Sequence, residues 1–331
     1  MTPCDSEAGA QGAGEWPKSL DVLLVSTESV GLAPSDTFND PERCPVSEPV
    51  PLLPALNLRL DGVEGELAEK VIDACEPKGS VGVRQYSCRW GFFREDPPRK
   101  SEQEPWSWDP DRAIYTAMAL SRIVQPNVIC TEYAARIIAE DGTSEIRPGP
   151  VTGQSADAWL HESIWKRWLT KTDAETLAAL LTTYWPLRDA LPGRLRRALW
   201  NHEYVAQTHD PNVRLVIAST ALEALVHTDQ FKSTAQFCRV APLAAELGVP
   251  FSESDAKKAY SLRSHVAHGD RLATLLDPND PKERATQEAN IESLLLALEE
   301  ILRRGIRRGI ENPAFRAVFE DPALIRARWP T

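Results

Sequence analysis

DPNVRLVIASTALEALVHT, residues 210–228, decides the architecture of this chain. The Asp210 side chain accepts hydrogen bonds from the first free N–H groups of a helix, and Pro211 at the first helical position has no N–H to lose. Val213, Ile217, Ala221 and Leu225 then recur at helical spacing, and Leu215, Leu222 and Val226 form a second apolar stripe. A helix apolar on so many sides belongs at the centre of a bundle. Upstream, Thr172-Asp-Ala-Glu175 reads as a capping box, followed by Leu177, Leu180, Leu181 and Tyr184, and Pro186 is expected to stop or kink that helix. Downstream, one helix is expected over about residues 233–247. Ser252 and Asp255 form a second capping box on a helix running to about His268, where Gly269 supplies the residue after the cap. Asp280-Pro281 opens a last long helix with Ile291, Leu294, Leu295, Leu298, Ile301, Leu302 and Ile306 on its inner face. Residues 156–331 thus read as an all-helical domain.

The first half reads differently. Residues 1–56 are rich in proline, glycine and serine and read as partly irregular, with one strand at Leu20–Val25. Residues 57–155 read as a small mixed α+β domain with a sensing or regulatory role. Leu56, Leu58 and Leu60 alternate as a strand, and Ser80–Phe93 is a second strand. Gly65–Ala74 is a short helix, and Asp109-Pro110 opens another through about Val124. Two strands flank the turn Asp141-Gly142 as a hairpin, and Trp106 and Trp108 lie in a proline-rich loop. The fold class expected is an α+β N-terminal region followed by a helical bundle.

Composition narrows the chemistry. A formal net charge of −11 across 331 residues argues against coating nucleic acid through the overall field, and leaves room only for a local basic site. The six cysteines are scattered with no C-x-x-C pair, against both a zinc knuckle and a disulfide scaffold. No long apolar run predicts a membrane span, and no basic-then-apolar N-terminal stretch predicts secretion, so a cytoplasmic location is expected. His161-Glu162 and His202-Glu203 lack the second histidine of a zincin helix, and no Walker A, G-x-G-x-x-G or G-x-S-x-G motif occurs.

The constellation that carries chemistry is Arg263-Ser-His-Val-Ala-His268-Gly269, at the end of a capped helix that follows Ala-Leu-Glu223-Ala-Leu and precedes the long closing helix. From about residue 170 to 310 this arrangement resembles the HEPN (higher eukaryote and prokaryote nucleotide-binding) family, in particular its ApeA-like branch. The motif matched is R-x4-H, with Ser264 where active members often carry Asn, Asp or His. The resemblance implies a metal-independent endoribonuclease of the toxin–antitoxin or phage-defence kind, acting as a homodimer without a cofactor and leaving 2′,3′-cyclic phosphate ends. Arg263 and His268 would be catalytic, with Ser264, His265, Glu223 and Tyr260 as helpers. An antitoxin or regulatory partner is a further implied expectation. Histidine titrates near neutrality and can exchange protons, while a guanidinium presents a fixed fork of donors to phosphate. Arg303, Arg304, Arg307 and Arg308 are candidates for positioning RNA, as is the cluster Arg194, Arg196 and Arg197. The reading preferred for both clusters is a solvated helix face, with phosphate positioning as the sharper alternative. The alternative is a catalytically inactive dimerisation or ligand-binding module, in which Arg263 pairs with Glu223 to lock two helices and His268 sits on helix-end carbonyls.

Overall fold

A computed structural model describes residues 19–26, 48–63, 65–75, 88–95, 112–127, 134–140, 143–148, 169–208, 210–229, 231–272 and 281–330. Trp106, Trp108, the Asp109-Pro110 cap, the Asp141-Gly142 turn, residues 156–168 and Asp280 lie outside them.

The N-terminal half is an antiparallel sheet with helices, and the rest is mostly helical. The strands are β1 (Ser19–Ser26), β2 (Val50–Leu53), β3 (Leu58–Gly62), β4 (Cys88–Glu95), β5 (Ala134–Glu140) and β6 (Thr143–Pro148), in the order β2-β3-β4-β1-β5-β6. Side chains alternate across a strand, so Leu20, Val22 and Leu24 of β1 share one face. There they join Phe93, Ala135 and Ile137 under Ala68, Val71 and Ile72 of α1 (Gly65–Cys75). Leu23 turns to the other face, with Leu52, Leu58, Leu60, Phe92 and the apolar side of α2 (Arg112–Val124). The strand expected at Leu20–Val25 is β1, and it lies between β4 and β5 inside the sheet. Strand β2, unexpected from the sequence, takes the edge, where Pro51 costs no ladder bond on its open side.

Gly91 of β4 faces Leu24 of β1, and a Cβ there would lie 2.8 Å from the Leu23 carbonyl oxygen. Gly91→Ala is expected to destabilise the fold by about 1–3 kcal/mol through overpacking. A thermal melt checks this, and an unchanged midpoint would show that the two strands can separate freely.

The helical part comprises α3 (Lys171–Leu187), α4 (Gly193–Gln207), α5 (Pro211–Val226), α6 (Ser233–Phe237), α7 (Val240–Glu246), α8 (Glu253–Ala267), α9 (Pro281–Glu311), α10 (Pro313–Ala317) and α11 (Pro322–Arg328). Helix α5 is central as its composition demands, packed against α4, α8 and α9. The Asp210 carboxylate accepts from the N–H groups of Asn212 and Val213. The cap of α3 differs from expectation. Thr170 and Asp173 form the capping box, two residues before Thr172 and Glu175. Both pairs have the right spacing, but Leu169 just before Thr170 is fully buried, and that anchor selects the earlier register. Pro186 lies in the last turn of α3. The single helix expected over 233–247 is interrupted at Cys238-Arg239, where the Arg239 Nε donates to the Trp329 carbonyl and Nη1 to that of Val226.

One apolar cluster runs from Leu23, Leu52 and Phe92 through Met118 to the cores of α3, α5 and α9, so packing is continuous across the two halves. Polar contacts fix their register. Arg122 of α2 pairs with Glu203 of α4, both buried, and Arg303 of α9 donates to the Ile123 and Val124 carbonyls at the end of α2. No helix among the described residues is long and apolar enough to cross a membrane.

Candidate functional site

Helix α8 carries the Arg–His motif, and both of its ends are set locally. Ser252 Oγ accepts from the Asp255 N–H at 3.1 Å, while the Asp255 carboxylate accepts from the Ser252 N–H at 2.8 Å. At the other end His268 is the cap, Gly269 adopts φ 103°, the Gly269 N–H reaches the Val266 carbonyl and the Asp270 N–H reaches that of His265. This is the Schellman closure, in which a positive φ favours glycine over any side chain.

Arg263 lies on the inward side of α8, on the same flank as buried Ala256 and Ala259. Its Nη2 donates to Glu223 Oε2 of α5 at 3.1 Å, its guanidinium carbon lies 5.6 Å from the Tyr260 ring centre, and its Nε is enclosed with no hydrogen-bond partner. Tyr260 in turn packs on Phe237 of α6, ring centres 5.4 Å apart. The Arg263 side chain keeps a quarter of its surface exposed and that of Glu223 less, 15%. Burial raises the Glu223 carboxyl above its ordinary range, and the neighbouring Arg263 charge only partly offsets it.

His268 is exposed. Each helical residue advances about 100°, so side chains five apart leave α8 about 140° apart. Within one chain Arg263 and His268 therefore do not share a face. His265 turns outward, its Nδ1 3.0 Å from an Asp270 carboxylate oxygen, and Ser264 is half-buried beside Arg263.

The residue that sequence reasoning missed is His227. It caps α5 one turn after Glu223, and its Nε2 is enclosed and without a hydrogen-bond partner. Burial holds its pKa below the ordinary histidine value. The Arg239 and Arg263 charges act the same way, while a backbone hydrogen bond with Ser233 and the Asp229 charge oppose them. His227 is thus an imidazole in electrostatic reach of Arg263. Its position at a helix end four residues past Glu223 was legible, but its proximity to a residue 36 positions on was not.

The α9 arginines are engaged elsewhere. Arg303 and Arg304 both pair with Glu300, and Arg304 Nη1 donates to the Leu247 and Gly248 carbonyls. Arg308 donates to the Glu246 carbonyl and pairs with its carboxylate, and Arg307 pairs with Glu311. Arg307 and Glu311 also line an open cleft of about 370 Å³ with Thr172, Glu175, Thr176 and Thr183 of α3. Cationic side chains near a helix end satisfy carbonyls that have no intrahelical partner, and that accounts for Arg303, Arg304 and Arg308 without a ligand.

Among the described residues no three His, Cys, Asp or Glu side chains are grouped to hold a metal ion. Burial pushes the Cys75 thiol up to about 11, so it is a poor nucleophile near neutrality. No protein-family model, curated protein or solved structure matches the chain.

Proposed function

We propose that the helical part is a HEPN-type endoribonuclease of a toxin or phage-defence system that cleaves RNA without a metal ion. The observation that carries this reading is the setting of Arg263. Its guanidinium is partly exposed, steadied by Glu223 and Tyr260, and keeps Nη donors that those contacts do not use. Those donors suit a phosphate whose negative charge grows as the 2′-hydroxyl attacks. The histidine of the motif removes the hydroxyl proton or returns one to the departing 5′-oxygen, which leaves a 2′,3′-cyclic phosphate. The roughly 140° between the two side chains favours a site made from two copies of the chain, each supplying its motif across a two-fold axis.

The expected result with purified protein in excess EDTA is RNA cleavage with cyclic phosphate ends. Arg263→Ala and His268→Ala should each slow it by about a hundredfold or more. A second reading is favoured by the Arg263–Glu223 ion pair, which joins α8 to α5 within one chain. There the domain is an inactive dimerisation or ligand-binding module, and Arg263 is a structural tie. Wild-type protein that cleaves no RNA, alongside variants that remain equally folded, would select this second reading.

A further inference from the structure

The outward face of α4 has a composition that folding does not require. Arg196, Arg197, Trp200 and Tyr204 are all exposed, with Trp200 42% and Tyr204 60% accessible. Residues three and four apart are neighbours on a helix, so Arg197, Trp200 and Tyr204 form one stripe with Arg196 at its flank. Neither the Arg196 nor the Arg197 side chain has a hydrogen-bond or ion-pair partner among the described residues. That contrasts with the α9 arginines, and it occurs in a chain with 48 acidic residues against 37 basic ones.

The helix that carries the stripe is anchored on α5. Arg194, in the first turn of α4, donates through Nη1 to the Ala224 carbonyl at 2.8 Å and the His227 carbonyl at 2.6 Å. This ties the start of α4 to the end of α5 that carries Glu223, the partner of Arg263. Burial lowers the Arg194 pKa and the Arg197 charge lowers it further, which shows that the two guanidinium groups lie close enough to interact.

We propose that Arg196, Arg197, Trp200 and Tyr204 bind single-stranded RNA, with the guanidinium groups on phosphates and the two rings stacked on successive bases. Aromatic rings stack on any base and arginines follow the backbone, so the face is selective for an unpaired strand rather than for a sequence. One helical turn separates Trp200 from Tyr204, about 6 Å along the axis. That exceeds the roughly 3.4 Å step of a duplex strand and suits an extended single strand. An unpaired RNA strand supplies phosphates for the guanidinium groups and exposed base faces for the rings at the same time, the combination this face presents. The destination of the strand, Arg263, rests on the nuclease reading, whereas the binding itself does not.

The test is fluorescence anisotropy of a fluorescein-labelled, mixed-sequence single-stranded RNA with the full chain in the Arg263→Ala background, so that cleavage cannot intervene. Trp200→Ala and Tyr204→Ala should each weaken binding by about tenfold. Arg196→Gln with Arg197→Gln should reduce the slope of log affinity against log salt by about 1.4, two single-strand phosphates. A duplex of the same sequence should bind weakly and ignore the aromatic substitutions. Unchanged affinity in all variants, at unchanged melting temperature, overturns the proposal. So does loss of a dimer in the aromatic variants with RNA binding intact, which would make the face a protein interface. Variant-sensitive binding without any cleavage by wild-type protein would leave this face standing and count against the nuclease alone.

Discussion

Trp329→Ala is expected to lower the unfolding free energy by about 3–5 kcal/mol, the range for removing a fully buried aromatic side chain. Trp329 is 2% exposed and follows α11 directly. Its ring meets those of Phe315 and Phe319, with centroids 6.1 and 5.7 Å away. Its indole N–H donates to a Glu246 carboxylate oxygen at 3.1 Å, and its carbonyl accepts from Arg239 Nε at 3.0 Å. Glu246 also holds Arg328 and Arg308, which lowers its carboxyl pKa. The segment that leaves α11 is therefore part of the core. Trp329→Phe keeps an aromatic ring and loses the indole bond, so it should cost only about 1–2 kcal/mol. Urea unfolding followed by circular dichroism measures both. A loss below about 1 kcal/mol for the alanine variant would show that this segment docks without contributing to stability.

The second large effect is on pH. His202 of α4 is buried beside Glu203, Arg122, Arg303 and Glu300, and its Nδ1 has no hydrogen-bond partner. Burial pulls its pKa down to about 4, against the opposing Glu203 and Glu300 charges and with the Arg122 and Arg303 charges. The folded state thus resists protonation that the unfolded chain accepts below a pKa of about 6.5. The stabilising contribution is complete above pH 6.5 and is lost as pH falls towards 4, where it has cost about 3 kcal/mol. At pH 5 the loss is about 2 kcal/mol. His227, also depressed, acts in the same direction. The depressed carboxylates Glu246 and Glu300 lose their contribution only nearer the ordinary carboxylate range, so a comparison of pH 7 with pH 5 reports the histidines, opposed by the raised carboxyl of Glu223. His202→Leu should leave stability at pH 7 within about 1 kcal/mol and remove most of the loss at pH 5. A wild-type stability that is flat over this interval would place a charged His202 in the fold.

How much was legible in the sequence follows from the range of each interaction. The helix α5 start at Asp210-Pro211 and the Ser252–Asp255 cap are interactions within four residues, and the Gly269 closure spans five, so the order of residues contains them. The hairpin of β5 with β6 and the alternation of Leu58 and Leu60 in β3 are local in the same sense. The Thr170–Asp173 cap is harder to read, because two overlapping stretches satisfy the same spacing and only the burial of Leu169 separates them. In the candidate site the motif Arg263–His268 was visible as a string. Its orientation followed from helix geometry once the helix was granted.

By itself, then, the sequence determined most of the strands and the main helices, the starts of α5, α8 and α9, and that α5 must be central. Those outcomes depend on backbone capping and on the period of apolar residues, and both are written within a turn or two of chain. Only the tertiary structure decided that β1 lies inside the sheet, that Arg263 meets Glu223 and the field of His227, and that Arg303 closes α2 across 180 residues. It also decided which arginines are consumed by helix ends and which, on α4, are left facing solvent. A guanidinium reads the same in sequence wherever it points, and its partner is chosen by the packing of apolar faces that brings distant segments together.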